Sequence, residues 1–598
     1  MFGIINISSE KEKKNLFSLM NNPSHRFNNQ QCSPVFDGDK FIAHNKSKDY
    51  FFEDEQFCLF FMGSTYNKLP HSTETSANKD LYTAEQLAHQ YKIQGEYMAN
   101  NIAGSFIIII SHKAENRIVV LRDPLGIEPI YYAIKNNTFY FSTELRRISA
   151  IPALCDIDWQ YIKIVLSQLI PQDYKRTWFE HIKRVTPGTS FHWTPNSQSH
   201  NQYFNLSQIK KEPLSSAEAI QIFRDKLSLA VYRQIAGYGD IYAHFSGGLD
   251  SSGISAIAWE YSKQSNVSFK SYACGLWPNQ INNKYGIKDD QEIQKATAQS
   301  IGLPIPEITS YNESSSIDEY SIGRQLPKTQ DLKAYLELTL QDIASKSGKV
   351  LLSGFGGDEC ISYNQYPNFL SNAISQGHWK IFFQESKSLS YKTNISLFLN
   401  HLSSLNPISN HSSKKEVKVQ PLKNRIEHNY LKSANRIDLN SSIIAHLTSP
   451  HISYRIEKEK ELASYYDIEI KYPLLDLELI SFFLSLPSSL KYYKRKGREF
   501  YREALKKWID YPPFFDARKS RTATVPILDL RSCKAIGEGL IDYNAILQKL
   551  PPQLSELINV MPFPKDVNNR YHKFYHRKYL LLAEISNFVT CYNKEVSI

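Results

Sequence analysis

"YAHFSGGLDSSG" (residues 242–253) decides how the second half of the chain folds. A β-type apolar run meets two adjacent glycines, one aspartate and three serines, and a helical pattern begins at once. Gly247 and Gly248 allow a sharp turn with inward-pointing N–H groups, and the helix that follows adds its positive N-terminal end. The result is an anion site. Ser246, Ser251 and Ser252 can donate to phosphate oxygens, while Asp250 can hold Mg²⁺ against the same phosphates. No Gly-Lys-Ser/Thr follows at Walker spacing, so this is a different kind of phosphate loop. A simple capped strand–helix turn would not need all these residues together.

Working outward, the spacing predicts a helix over 216–235, strand 240–245, helix 251–264, strand 268–277, helix 290–302 and strand 349–355. Strand–helix alternation implies a parallel sheet with helices on both faces. "LLSGFGGDE" (351–359) is a second glycine-rich segment at a strand end, with Gly354, Gly356 and Gly357 before Asp358 and Glu359. Parallel strands gather their carboxyl ends on one edge, so Asp250 and Asp358 can meet over one metal–pyrophosphate unit. Beyond about residue 430 the pattern is mainly helical, and 410–425 reads as a charged loop.

The first 200 or so residues read differently. "GSFIIIIS" (104–111), "RIVVLRD" (117–123), "PIYYAI" (129–134) and "TFYFST" (138–143) are short β-runs between turns and suit an antiparallel sheet. "HSTETSANKD" (71–80) reads as a polar loop. The length of 598 residues implies two or three domains.

Composition narrows the class. The net charge of +10 favours anionic partners without choosing among nucleotides, acidic peptides and nucleic acid. The 13% aromatic content suits a groove for a peptide or a planar ring, and AT-biased coding would give the same number. Seven cysteines with no C-x-x-C pair point to reduced thiols, not a disulfide frame or zinc site. The start lacks the pattern of a signal peptide, and no run approaches the ~20 apolar residues of a membrane helix. The expectation is a soluble, cytoplasmic protein without membrane contact.

These residues carry a resemblance. "SGGLDSS" resembles the pyrophosphate loop of the asparagine synthetase family, and "LLSGFGGDE" its second active-site segment. The likeness continues through "EIKYPLLDLELISFFLSLP" (469–487), "GREFYREAL" (497–505) and "DARKSRT" (516–522). Upstream, "GSFIIIISHKAENRIVVLRDPLGIEPIYY", "FSTEL" and "HIKRVTPGT" look like the amidotransferase half of the same enzymes. The resemblance implies an α/β multidomain protein. Residues 1–205 would form a degenerate glutamine amidotransferase type 2-like domain of the Ntn-hydrolase-like antiparallel αββα kind. Residues 206–598 would form a ligase domain of the PP-loop ATP pyrophosphatase (adenine nucleotide α-hydrolase-like) kind, a parallel α/β domain with helical additions.

It also implies ATP and Mg²⁺ as cofactors, with a carboxylate activated as an acyl-adenylate and then attacked by nitrogen. Carried over by motif, Ser246, Gly247, Gly248, Asp250, Ser251, Ser252 and Gly354 bind ATP, and Asp250 and Asp358 bind the metal. Lys519 in "DARKS" resembles the lysine that stabilises negative charge on the reacting centre. Arg498 and Arg502 fall in a matching helix and are read as structural. The basic stretch 491–508 reads as a solvated helix beside an anionic site, so no nucleic acid is expected.

The departures from the pattern are informative. Glutamine-using members begin Met-Cys-Gly, and the exposed cysteine is the nucleophile. This sequence reads Met1-Phe2-Gly3, and phenylalanine has no nucleophilic atom. The family's "NGEIYN", whose asparagine helps form an oxyanion hole, aligns with "MGSTYN" (62–67), and Met62 cannot donate that hydrogen bond. The acidic glutamine-binding motif is lost near "LYTAEQ" (81–86). Three residues before Asp358, where β-lactam synthetases place tyrosine and asparagine synthetases usually glutamate, stands Phe355.

The branch that fits is the lasso-peptide cyclases, which join a peptide's N-terminal amine to an Asp or Glu side chain. An α-amine of pKa about 7.7–8.0 is partly neutral near neutral pH, so a dedicated base is less necessary. The expected partners are a precursor peptide, a leader peptidase and a leader-binding protein. The alternatives are an ammonia-dependent asparagine synthetase, a β-lactam synthetase-like ligase, and a non-catalytic peptide- or RNA-binding scaffold.

Overall fold

The run "FIIII" is apolar without a break because its strand is covered on both faces. In β6 (Ile102–His112), Ile107 and Ile109 enter one core while Phe106, Ile108 and Ile110 enter another. The computed structural model describes residues 2–5, 33–37, 40–44, 50–67, 81–168, 173–274, 291–309, 334–363, 370, 379–386, 439–491, 498–510 and 585.

The amino-terminal half holds β1 (Phe2–Ile5), β2 (Ser33–Asp37), β3 (Lys40–His44), β4 (Phe51–Glu53), β5 (Phe57–Asn67) and β6. It continues with β7 (Arg117–Arg122), β8 (Tyr131–Lys135), β9 (Thr138–Ser142), β10 (Lys183–Arg184), β11 (Thr189–Thr194) and β12 (Ser197–Gln202). They form two six-stranded sheets, β10-β8-β9-β1-β3-β2 and β12-β11-β7-β6-β5-β4. Every pairing in them is antiparallel, as expected. Phe60, Ile107, Val120, Phe139, Phe141 and Trp193 pack between the sheets. Helix α1 (Ala84–Gln94) lays Ala84, Leu87, Ala88 and Tyr91 on the outer face of the second sheet.

Helix α2 (Ser216–Ile235) has the limits its periodicity predicts. Ser215 and Glu218 form a capping box at its start, and Ala219, Phe223, Leu227, Ala230 and Val231 make its buried stripe. Then come β13 (Asp240–His244), α3 (Leu249–Ser265), β14 (Ser268–Cys274), α4 (Gln291–Ile301) and β15 (Glu307–Thr309). Helix α5 (Ala334–Ser345) leads to β16 (Val350–Leu352). Helices α6 (Leu439–Leu447) and α7 (Pro450–Tyr465) precede β17 (Glu469–Lys471), α8 (Leu477–Ser485) and α9 (Glu499–Leu505).

The five strands form a parallel sheet in the order β15-β14-β13-β16-β17. The chain steps outward from β13 through β14 to β15, then returns to place β16 on the other side of β13. This reversal makes a crevice at the carboxyl ends of β13 and β16, where ligands of open α/β sheets bind.

Two expectations need correction. The helix after the glycine loop begins at Leu249, so Asp250, Ser251 and Ser252 lie in its first turn. The predicted strand 349–355 is paired over Val350–Leu352, because the chain turns at Ser353, while the predicted strand 268–277 is paired over Ser268–Cys274 and its residues 275–277 lie outside the described residues. Beyond residue 430 the described residues are mainly helical, as expected, and Glu469–Lys471 adds the edge strand beside β16. Segments 71–80 and 410–425 lie outside the described residues. Among the described residues no helix is long and apolar enough to cross a membrane.

One apolar core joins the two halves. Tyr66, Ala103 and Ile127 from the first half pack in the same cluster as Phe223, Ile241 and Leu351.

Candidate functional site

Both glycine loops end adjacent strands. After β13 the chain turns at Gly247, whose φ of +71° is the left-handed conformation that glycine adopts without strain. Ser246 Oγ lies 2.8 Å from Ser251 Oγ, and Ser246 N donates to Ser251 Oγ at 3.0 Å. Gly248 N donates to Ser246 Oγ at 3.3 Å and occupies the N-cap position of α3. The backbone N–H groups of the first turn of α3 therefore face the loop with the positive end of the helix dipole. Ser246 is exposed, Ser251 and Ser252 are buried, and Asp250 is half-buried.

After β16, Ser353 Oγ accepts from Phe355 N at 3.2 Å, and Gly356 (φ +101°) leads into a π-turn over Gly357–Ile361. The two loops touch backbone to backbone. A Cβ on Gly354 would stand 2.6 Å from Ser251 N, and one on Gly357 would collide with the Asp250 carboxyl group. Asp250 thus packs on the residue that precedes Asp358, bringing both predicted metal carboxylates to one crevice. A cradle that a single methyl would fill, flanked by two carboxylates and a helix N-terminus, fits a Mg²⁺–polyphosphate group. Asp250 and Asp358 would hold the metal, and Ser246 to Ser252 with Gly354 would surround the phosphates.

Arg498, expected to be structural, forms an ion pair with Asp358 through its guanidinium. Its backbone takes φ +68°, which is uncommon for a residue with a side chain and places it at the N-cap of α9. Tyr501, one turn further on, is fully buried beside Asp250. Burial and then the Asp250 charge push its hydroxyl well above the usual tyrosine range. Arg502 reaches Glu499 at 3.6 Å. Lys519 lies outside the described residues.

Phe355 is buried, with the Arg455 guanidinium 3.9 Å above its ring and Tyr472 edge-on at 6.1 Å. Arg455 Nε donates to Glu459 Oε1 at 2.8 Å, and Tyr472 Oη donates to Glu459 Oε2 at 2.9 Å. Burial opposes charge on both Arg455 and Glu459, but each outweighs it for the other, so Arg455 is raised and Glu459 lowered. Sequence reading missed this pair. The i,i+4 spacing of Arg455 and Glu459 was its one visible trace.

In the first half, Phe2 sits in β1 opposite Ser142 of β9, and Met62 sits in β5 opposite Ile107. Tyr66 of "MGSTYN" crosses to the second half. Its hydroxyl donates to Asp476, the N-cap of α8, and Arg233 stacks 3.7 Å over its ring.

The class this geometry defines is an α/β protein with a crevice suited to an anionic ligand, between two glycine loops at the carboxyl edge of a parallel sheet. The model of the family described as "Asparagine synthase" matches residues 222–534, more than half the chain, and the one described as "Glutamine amidotransferase domain" matches 43–204. The chain belongs to the asparagine synthase family. Among its relatives, asparagine synthetase [glutamine-hydrolyzing] 1 of Bacillus subtilis is 27% identical over 344 residues, covering 55% of this chain and 51% of the relative. Asparagine synthetase [glutamine-hydrolyzing] 3 of the same organism is 24% identical, covering 54% of each. Amidase chry2 of Gibberella zeae is 21% identical over 476 residues, covering 70% of this chain and 69% of that protein. The chain spans about half the length of the asparagine synthetases it matches.

Proposed function

We propose that the protein is an ATP- and Mg²⁺-dependent ligase that closes a macrolactam ring in a peptide, in the manner of lasso-peptide cyclases. A side-chain carboxylate of an Asp or Glu in the precursor peptide attacks the α-phosphorus of ATP and pyrophosphate leaves. The peptide's N-terminal amine then attacks the acyl carbon, the C–O bond to AMP breaks, and the amine proton passes to solvent or a nearby base. Bound Mg²⁺ supplies charge neutralisation of the departing pyrophosphate.

The chain's residues divide the work. Ser246, Ser251, Ser252 and the backbone of Gly247, Gly248 and Gly354 hold the phosphates, and Asp250 and Asp358 would hold the Mg²⁺ against them. Lys519 stabilises negative charge at the reacting carbon. The observation that carries the reading is the pairing of an intact phosphate crevice with Phe355 buried under Arg455. A phenyl ring relays no proton, which suits a nucleophile already partly neutral, as a peptide α-amine is. Phe2 and Met62 offer neither the nucleophile nor the amide donor that glutamine hydrolysis uses. A precursor peptide, a leader peptidase and a leader-binding protein are the proposed partners, and the cytoplasm the proposed compartment.

The likeness to Bacillus asparagine synthetases favours a second reading, ammonia-dependent asparagine synthesis. AMP and pyrophosphate release is measured with Mg²⁺-ATP and either aspartate plus ammonia or glutamine, or a candidate leaderless peptide. Turnover with the peptide alone, and a product lighter by one water, supports ring closure. Turnover with aspartate and ammonia overturns it in favour of the second reading.

A further inference from the structure

Behind Asp358 lies a cluster that neither the phosphate crevice nor the proposed chemistry uses. Glu359, His446 and His451 bring one carboxylate oxygen and two imidazole nitrogens within 4.8 Å of one another. They come from three places in the fold, namely the π-turn over Gly357–Ile361, the last turn of α6 and the first turn of α7. Glu359 and His446 are buried and His451 is half-buried.

We propose that these three side chains bind a divalent transition-metal ion, at a site separate from the carboxylates of the phosphate crevice. Two imidazoles and one carboxylate suit Zn²⁺, Co²⁺ or Fe²⁺, whereas Mg²⁺ takes oxygen ligands and keeps its waters. Metal–nitrogen bonds of about 2.0–2.1 Å place tetrahedral ligand atoms about 3.3 Å apart, so the cluster closes on an ion by small side-chain rotations. The two imidazole rings have centroids 5.3 Å apart and planes tilted by 58°, so they converge without stacking.

The surroundings hold the ligands in place. Ser449 Oγ lies 2.6 Å from His451 Nδ1, the outer contact that fixes a ligating imidazole's orientation. Ser449 N donates to His446 O at 3.3 Å and closes the corner between α6 and α7. Glu359 Oε2 accepts from Gly356 N at 3.2 Å, which orients the carboxylate. Arg455, one turn beyond His451, faces the same region, and its charge is answered by Glu459 at 2.8 Å. Because Glu359 directly follows Asp358, an ion here ties the turn that presents Asp358 to the α6–α7 corner.

The test uses the full chain, stripped with chelator and titrated with Co²⁺ alone in excess Mg²⁺. Visible d–d absorption and equilibrium dialysis report binding. One equivalent is expected, with a saturable d–d band. His451→Gln and Glu359→Gln should each weaken Co²⁺ binding about tenfold or more. Asp250→Asn should leave the titration within about twofold, separating this site from the phosphate crevice. His451 is half-buried, so its variant keeps the test valid if a change at buried His446 unfolds the chain; circular dichroism checks each variant. Absence of a saturable band in the wild type, or equal affinity in the H451Q/E359Q double variant, overturns the proposal.

Discussion

Gly354→Ala tests whether the two glycine loops form one site. The added Cβ would stand 2.6 Å from Ser251 N, 2.8 Å from Ser251 Cα and 3.0 Å from the Asp250 carbonyl carbon. All three are backbone atoms, so no change of rotamer relieves the clash. Restoring ordinary contact at 3.4 Å from 2.6 Å requires about 0.8 Å of separation. Helix α3 cannot simply retreat, because on its far side Gly253 already packs against Leu505 and Tyr501.

Overpacking of this kind costs about 1–3 kcal/mol. If the free protein relaxes by parting the loops, ATP must draw them together again. Its dissociation constant then rises about 5- to 150-fold. The assay is displacement of a fluorescent ATP analogue by Mg²⁺-ATP, with thermal melting in parallel. Gly239→Ala is the control, since a Cβ there meets nothing within 4 Å. It should shift affinity by no more than about twofold. A Gly354→Ala protein that binds ATP within twofold of wild type, with an unchanged melting midpoint, refutes the shared-site geometry.

Glu457→Gln removes the partner of two buried guanidiniums, Arg184 at 2.8 Å and Arg122 at 3.8 Å, and should lower stability by about 3–5 kcal/mol in urea denaturation. Burial opposes ionisation of Glu144, but Arg147 and Arg146 outweigh it and hold its carboxyl at about 2, against 4.5 ordinarily. Its stabilisation is therefore complete above 4.5 and lost as pH falls from 4.5 toward 2, so the gap in urea midpoint between wild type and Glu144→Gln should be full at about pH 6 and shrink toward about pH 3. Lys519→Ala should keep ATP–pyrophosphate exchange and lose amide product, as read by mass spectrometry; an unchanged product yield removes Lys519 from the reaction.

The phosphate crevice was legible because its signals are local. A β-run, paired glycines and a helix start fall within one short stretch, and each has a physical reason independent of the rest of the chain. What was hidden depends on distant partners. β17 has three residues, ends just before Tyr472-Pro473, and gains its strand character from pairing with β16. Arg498 takes a left-handed backbone that glycine or asparagine would have signalled, so nothing in "KGREFY" announced it. Phe355 could be read as the loss of a polar group, but not as the floor beneath Arg455, because that contact joins a loop after β16 to the middle of α7. The Glu359–His446–His451 cluster was invisible for the same reason. Its ligands obey no short spacing rule of the kind that marks a C-x-x-C pair.

Helix α7 explains why the first half matters to the second. Residues four apart share a helix face, so His451, Arg455 and Glu459 line the side toward Phe355 and Glu359. Tyr454, Glu457 and Lys460 turn the other way and meet the first half. Glu457 receives Arg184, Lys460 reaches Glu128 at 2.5 Å, and Tyr454 lies under the Arg184 guanidinium at 4.6 Å. These are charged contacts within a buried seam, where an unpaired partner is costly. Tyr66 adds a second anchor by holding Asp476, which in turn caps α8 through Glu478 N and Leu479 N at 3.0 Å each. One helix thus carries both the seam, through Glu457 and Lys460, and the wall behind Phe355, through Arg455.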